Sequence, residues 1–366
     1  MPLILVCAAW GVFWGSWAAL LPAIKEQLAI STADLGLVLS GVPVGAIPAM
    51  ALAGRLARGR ERAGLTTATA LFGLSILAVA GAVGGSSYLL AGALLVLGAA
   101  SGALDVTLNL ATGRAERQSG RRLFQPVYAA FPPAVIVAAP ATGLARELGA
   151  GPGPALAAVA VVVLGAAFAP FSLLQEPHPP GPSAGTASRT TTPWRRAALL
   201  GALAACVLII ENAVEQWSAL HLEQHLGATA LLSGSAPAVY MAALTVGRLL
   251  AQAWPRLGTR ALLAVAGLGG GAGIILAALA TSPAWALAGF ALSGLALGPP
   301  VPALLSRAAA DDPGGSLVAA ISTISYAGFV ASPLLVGALS AAVGLPVALA
   351  SLALLAVPLL VAAARR

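Results

Sequence analysis

GAASGALDVTLNLATGRAERQSGRRLFQPVYAAF, from Gly98 to Phe131, closes a long apolar run that begins near Tyr88 and then passes into a basic segment. Inside the apolar part sits a carboxylate, Asp105, with an amide, Asn109, one helical turn later. Gly98, Gly102, Asp105 and Asn109 therefore share one helical face. Small residues on a face let a second helix approach closely. Lipid can satisfy neither a carboxylate nor an amide, so the polar pair has to point at protein or at a watery cavity. Arg114, Arg117, Arg121 and Arg122 follow at once, and a basic cluster just beyond an apolar run marks the cytoplasmic end of a transmembrane helix. One stretch thus implies a membrane span, an orientation and a candidate site.

Composition extends this reading to the whole chain. Of 366 residues, 59% are apolar and 8% charged, whereas about a quarter are charged in soluble domains. A membrane-crossing helix needs about 20 apolar residues. Twelve such runs can be placed: 3–24, 35–54, 65–83, 88–110, 124–145, 154–174, 197–220, 231–253, 261–281, 284–305, 316–340 and 344–363. The expected fold is an all-α polytopic membrane protein, with twelve transmembrane helices in two pseudo-symmetric six-helix bundles, residues 1–174 and 197–366. Between them, 175–196 (QEPHPPGPSAGTASRTTTPWRR) is rich in Pro, Ser, Thr and Gly and has no periodic apolar face, which predicts a flexible cytoplasmic linker. The first run begins at Leu3 with no basic segment before it and no evident cleavage site, so it reads as a transmembrane helix and not as a signal peptide.

The formal charge of +7 is carried almost wholly by arginines in short connections that never interleave with aromatics on a soluble segment, which argues against nucleic acid as a partner. Membrane topology explains it better. With the N-terminus cytoplasmic, every one of the 19 Lys and Arg residues except Lys25 and Arg146 falls in an inward connection or at the C-terminus. Both termini are therefore expected to be cytoplasmic. Cys7 and Cys206 lie within apolar runs, so the chain has neither a disulfide framework nor a CxxC metal motif.

The halves echo each other. Gly54-Arg55-Leu56 recurs as Gly247-Arg248-Leu249, and Gly98/Gly102 has a counterpart in Gly294/Gly298. Parallel six-helix repeats are the architecture of major facilitator transporters. The residues resemble that superfamily, and within it the bacterial branch of fucose-permease-like and uncharacterised inner-membrane transporters, over almost the whole chain. The resemblance rests on WGSWAALLPAIKEQLAIS (Trp14–Ser31), GALDVTLNLATGRAERQSGRRL (Gly102–Leu123), ENAVEQWSALHLEQHLGA (Glu211–Ala228) and ISTISYAGFVASPLLVG (Ile321–Gly337). It implies a GxLDVxMNxxAxxxE-like stretch, here carrying Asp105, Asn109 and Glu116, and an acidic residue ahead of a Trp-Ser pair, here Glu211 before Trp217-Ser218. There are departures. The Asp usual after the second helix is missing from GRLARGRER and from the later copy GRLLAQAWPRLG. Leu20 stands where an Arg is expected, Tyr128 where a His is usual, and Gln216 where an acidic residue is common. These changes bear on substrate and coupling more than on fold.

Asp105 has two readings: a proton-linked or gating carboxylate, or an anchor for Arg114 or a neighbouring loop arginine. Asn109 is either a structural hydrogen-bonding group or part of a cavity lining. Glu211 is about fourteen residues into the seventh run, which places it past the midplane toward the outside, with Glu215 one turn beyond on the same face. No mid-membrane arginine or lysine is expected to neutralise this pair. Two carboxylates one turn apart in low dielectric should not both ionise, so one is a natural proton carrier. Glu215 has the alternative of being solvated at the outer surface. Asn212 and Gln216 widen the polar side of this helix. Trp10, Trp14 and Trp17 form one aromatic stripe, and Trp14 and Trp17 could stack on a sugar or attract a cation as well as pack in the core. Tyr128, Tyr240 and Tyr326 are further cavity candidates. Pro299, Pro300 and Pro333 bend their helices, as gates or as static kinks.

No GxxxxGK[ST] loop, HExxH or Ser/His/Asp arrangement occurs, which argues against an enzyme or an ATP-driven pump. His221 and His225 stand about 15 Å of helix or more from Glu211, too far for a shared metal, and no cofactor is implied. The resemblance and the acidic interior together imply a secondary active transporter in the cytoplasmic membrane. It would move a small neutral or cationic solute, sugar-like or another metabolite, by alternating access with proton coupling. The expected partners are that solute, protons and the lipid bilayer, with the protein a monomer. The alternatives are an exporter of drugs or metabolites, or a non-transporting membrane sensor or assembly protein on the same fold.

Overall fold

A computed structural model describes residues 2–57, 59–121, 123–168, 194–254, 256–312 and 316–364, and no strand occurs among them. The helices follow the apolar runs: α1 (Pro2–Gln27), α2 (Thr32–Leu56), α3 (Glu61–Ala82), α4 (Ser87–Ser119), α5 (Phe124–Glu147), the shorter α6 (Pro152–Ala167), α7 (Trp194–Leu226), α8 (Ala230–Ala253), α9 (Thr259–Ala278), α10 (Pro283–Ala308), α11 (Ala320–Val343) and α12 (Leu345–Ala364). All but α6 are long and apolar enough to cross a membrane, so the chain is an all-α multi-pass membrane protein. Of the expected linker, 175–193 lies outside the described residues, and Trp194 to Arg196 already belong to α7. The end of the sixth run (169–174), His178, and Arg58, Arg122, Arg189, Arg365 and Arg366 also lie outside them.

Local chemistry sets several boundaries. Ser31 and Asp34 form a capping box that starts α2. The Ser86 hydroxyl accepts from Leu89 N–H and starts α4. At the other end of α4, Gly120 takes a left-handed φ of 64°, a conformation costly for any residue with a Cβ.

The helices pack in two compact units. One holds residues 2–168 together with Thr229–Ala238, and the other holds 194–228 and 239–364. In the first, Gly11 and Gly15 of α1 lie against the backbone at Phe131 and Val135 of α5. Helix α8 opens in this unit, where the Glu147 carboxylate accepts from Leu231 N–H (2.9 Å) in its first turn. In the second unit, Gly201 of α7 faces Ile324 and Gly328 of α11 faces Ala205.

The expected glycine pairs are where helices meet. A Cβ at Gly98 would overlap the Val42 carbonyl of α2, and one at Gly102 would lie 2.8 Å from the Ala46 carbonyl and 3.0 Å from Met50 Cγ. On α10 a Cβ at Gly294 would meet the Tyr240 carbonyl of α8 at 2.6 Å, and one at Gly298 would overlap the Leu244 carbonyl and sit 3.4 Å from Arg248 Cγ. This packing matches Arg248 to Met50. The Gly-Arg-Leu repeat suggested Arg55 as its counterpart instead, and that register is corrected here: Arg55 lies beyond Met50 and is exposed, whereas Arg248 is half-buried over Gly298.

Replacing Gly98 by Ala forces α2 and α4 apart, and overpacking of this kind costs about 1–3 kcal/mol. Gly92, on the same helix, has nothing within 4 Å of an added Cβ. Thermal unfolding of the purified protein should show a clear fall in Tm for Gly98→Ala and none for Gly92→Ala. Equal behaviour of the two variants would contradict the packing described.

Candidate functional site

Among the described residues, each unit holds a cluster of ionisable and amide side chains on its helices. In the first, Asn109 Nδ2 donates to the Asp105 backbone carbonyl (2.9 Å) and to Asp105 Oδ1 (3.1 Å). From α5, the Tyr128 hydroxyl lies 2.9 Å from Asn109 Oδ1 and 3.2 Å from Asp105 Oδ1. A phenol has one proton to donate, so the two oxygens compete for it. Asp105 thus bonds to an amide and a phenol, and Arg114 turns the other way, to an ion pair with Glu61 at the start of α3. The reading of Asp105 as an anchor for Arg114 is corrected accordingly. Glu116, carried by the same family-like stretch, uses its carboxylate to accept from the N–H groups of Leu123 (2.7 Å) and Phe124 (3.3 Å) at the start of α5.

The second cluster is built on α7, α8 and α10. Helix α7 has 33 residues and runs past the expected span at both ends, with Glu211 close to its midpoint. Glu215, one turn on, is half-buried and about 16 Å of helix short of Leu226. The expectation that Glu211 lacks a basic partner also fails, because Arg248 Nη2 comes within 3.7 Å of Glu211 Oε1. Arg248 sits at the expected loop end of α8, but helical side chains lean toward the N-terminus, and its long stem carries the guanidinium back toward Glu211. Its Nε donates to the Gly298 carbonyl (3.2 Å). Tyr240 is fully buried within electrostatic reach of Glu211, Glu215 and Arg248, and its hydroxyl makes no hydrogen bond. Asn212 Oδ1 and Gln216 Oε1 on α7 are likewise buried and unbonded.

The remaining candidates are more dispersed. Trp17 is fully buried and stacks on Phe13 at 6.0 Å, Trp14 is half-buried with its edge toward Phe13, and Trp10 Nε1 donates to Ser101 Oγ (3.0 Å). Tyr326 is half-buried and stacks on Phe329. Pro299 and Pro300 are buried in the break of α10, and Pro333 is buried in α11 beside Ser332, whose hydroxyl donates to the Ile209 carbonyl of α7. The sequence reading missed the inward use of Arg248. Its usable signal was Pro302, four residues after Gly298: proline has no N–H, so the Gly298 carbonyl needs a donor from elsewhere. His221 is buried with its Nε2 3.1 Å from the Ala277 carbonyl, and among the described residues no group of three His, Cys, Asp or Glu could hold a metal ion.

Two packed units of apolar helices, each enclosing ionisable groups held by protein partners, define a multi-pass membrane protein. Residues 3–333 match the family model described as Major Facilitator Superfamily, and the chain belongs to that superfamily of non-enzymatic membrane transporters. It is 32% identical to an uncharacterised MFS-type transporter of Yersinia pestis, covering 94% of this chain and 90% of that one. It is 27% identical to the membrane protein MosC of Rhizobium meliloti, covering 97% and 86% respectively. Among solved structures it resembles a mutant of the nucleoside transporter NupG, with a TM-score of 0.80 at 14% identity over 99% of this chain and 98% of that one. It also resembles the transporter FucP in its outward conformation, at 0.61 and 17% identity over 99% and 98%. At these identities the structures speak for the fold alone.

Tyr128→Phe removes the proton shared between Asp105 and Asn109. The expected loss is about 1 kcal/mol of stability, part of which should disappear in an Asp105→Ala background, the rest belonging to the shorter contact with Asn109. Thermal unfolding of the two single variants and the double variant measures this coupling, and strict additivity would show that the hydroxyl does not serve Asp105.

Proposed function

We propose that the chain is a secondary active transporter of the cytoplasmic membrane. It moves a small neutral or cationic solute by alternating access of its two six-helix bundles (1–174 and 197–366), with proton coupling. The observation that carries the coupling is the Glu211–Glu215 pair, two carboxylates one turn apart in the interior of a membrane protein, with a single arginine beside them. Ionised together, the three side chains leave one uncompensated negative charge. Low dielectric disfavours that state, so uptake of a proton or of a cation is the way to discharge it. Asp105, with Asn109 and Tyr128, serves as a second gate in the other bundle. The same excess of negative charge favours a neutral or cationic solute over an anion. Both termini are cytoplasmic, in keeping with the distribution of arginines, and the working unit is a monomer.

The solute is found by a thermal-shift screen of sugars, nucleosides and amines, because a ligand at 100 times its Kd adds about 2.7 kcal/mol of stability. With a hit reconstituted in proteoliposomes, an inward proton gradient should concentrate it. Glu211→Gln, which mimics the protonated carboxyl, should abolish this uphill accumulation while downhill exchange stays measurable. Asp105→Asn should slow turnover with some proton-driven accumulation left. Accumulation by Glu211→Gln at the wild-type level would remove Glu211 from the coupling.

Topology is tested separately. Reporter fusions after Gly120 and within 175–193 should both report cytoplasm, and a periplasmic signal from either would overturn the orientation.

A further inference from the structure

We propose that Arg248 is a positioning residue that transmits the charge on Glu211 to the broken backbone of α10. The inference rests on the coupling role proposed for Glu211 and adds the route by which that charge reaches a movable element. In an unbroken helix the Gly298 carbonyl accepts from the N–H of residue 302, but residue 302 is proline. Pro299 and Pro300 remove two further donors in the same turn. The orphaned Gly298 carbonyl accepts from Arg248 Nε instead, at 3.2 Å. Gly298 also has no side chain, so the Arg248 stem can lie close over it: a Cβ there would be 3.4 Å from Arg248 Cγ.

The guanidinium is planar and its donors are fixed relative to one another. Nε is spent on α10, and Nη2 of the same group lies 3.7 Å from Glu211 Oε1. The two contacts together set its position. Few other charges act here. Glu215 and Tyr240 are the neighbouring titratable groups, α11 carries no titratable side chain but Tyr326, α12 carries none, and α9 and α10 add only Arg260 and Arg307 near their loop ends.

When Glu211 takes a proton its attraction for Arg248 ends, and the nearest remaining anion is Glu215, about 6 Å further along α7. A guanidinium that follows that charge has to draw its Nε away from Gly298. The carbonyl then has no donor, and the turn around Pro299, Pro300 and Pro302 loosens. Protonation on α7 thereby becomes a change in the flexibility of α10, with no solute required.

Hydrogen–deuterium exchange on the purified protein, without any solute, tests this on the amides of 303–308. After correction for the intrinsic effect of pH, mild acidification should speed their exchange by about tenfold, the worth of one charge-assisted hydrogen bond. Glu211→Gln and Arg248→Lys should exchange fast at every pH. Pro302→Ala, which gives Gly298 a donor within its own helix, should exchange slowly at every pH. Glu211→Asp, which can still titrate, should keep a pH response if the glutamine variant does not fold. A wild-type protein with no pH response, or one whose response survives in Glu211→Gln, would overturn the relay. Either result leaves the transport assay to judge coupling by itself, since exchange on the empty protein makes no use of a gradient.

Discussion

A bilayer offers no hydrogen bonds, and most of what is specific in this molecule follows from that one restriction. Backbone groups satisfy it by forming helices. Side chains that cannot do so are taken inside, where Asp105 finds an amide and a phenol and Glu211 finds an arginine. Broken helical turns are held to the same rule. Where proline leaves the Gly298 carbonyl without its usual donor, an arginine from another helix supplies one. The prolines in α10 are therefore bound into a side-chain arrangement and are more than local bends.

Close approach of helices is the condition for such bonds. Arg248 reaches a carbonyl of α10 because Gly298 leaves room above it, and α2 meets α4 in the same way through Gly98 and Gly102. The two units share this packing scheme but not its chemistry. Where one has Met50 beside a glycine, the other has Arg248. A common scaffold thus carries an ion pair at this position in one unit and an apolar contact in the other.

The fold was legible because hydropathy over about 20 residues is a strong signal in a chain with so few charges, and the glycine pairs announced two of the helix contacts. The site was less so. Asp105, Asn109 and Tyr128 come together because the first two are a turn apart and the third follows one loop later, a short-range relation that sequence can suggest. Glu211 and Arg248 belong to different helices, and their meeting depends on how α7 and α8 pack and on the Arg248 stem leaning back along α8, while the place of Arg248 in the packing is a question of which residue of α2 corresponds to it. Repeated letters gave the wrong answer to that question, since Gly-Arg-Leu occurs in both halves without occupying the same place in the packing. Trp17 is a similar case: its spacing on the stripe is compatible with a cavity, and its surroundings place it deep against Phe13.

Helices α4 and α7 each have 33 residues and so are about 50 Å long, against a hydrocarbon layer of about 30 Å. Both are anchored at one end by polar contacts outside the apolar stretch, Arg114 to Glu61 for α4 and Arg196 to Asp311 for α7. Their surplus length gives the protein a margin against changes in bilayer thickness. A thicker membrane covers more of each helix before it meets an anchoring arginine, and a thinner one exposes more without unwinding a turn.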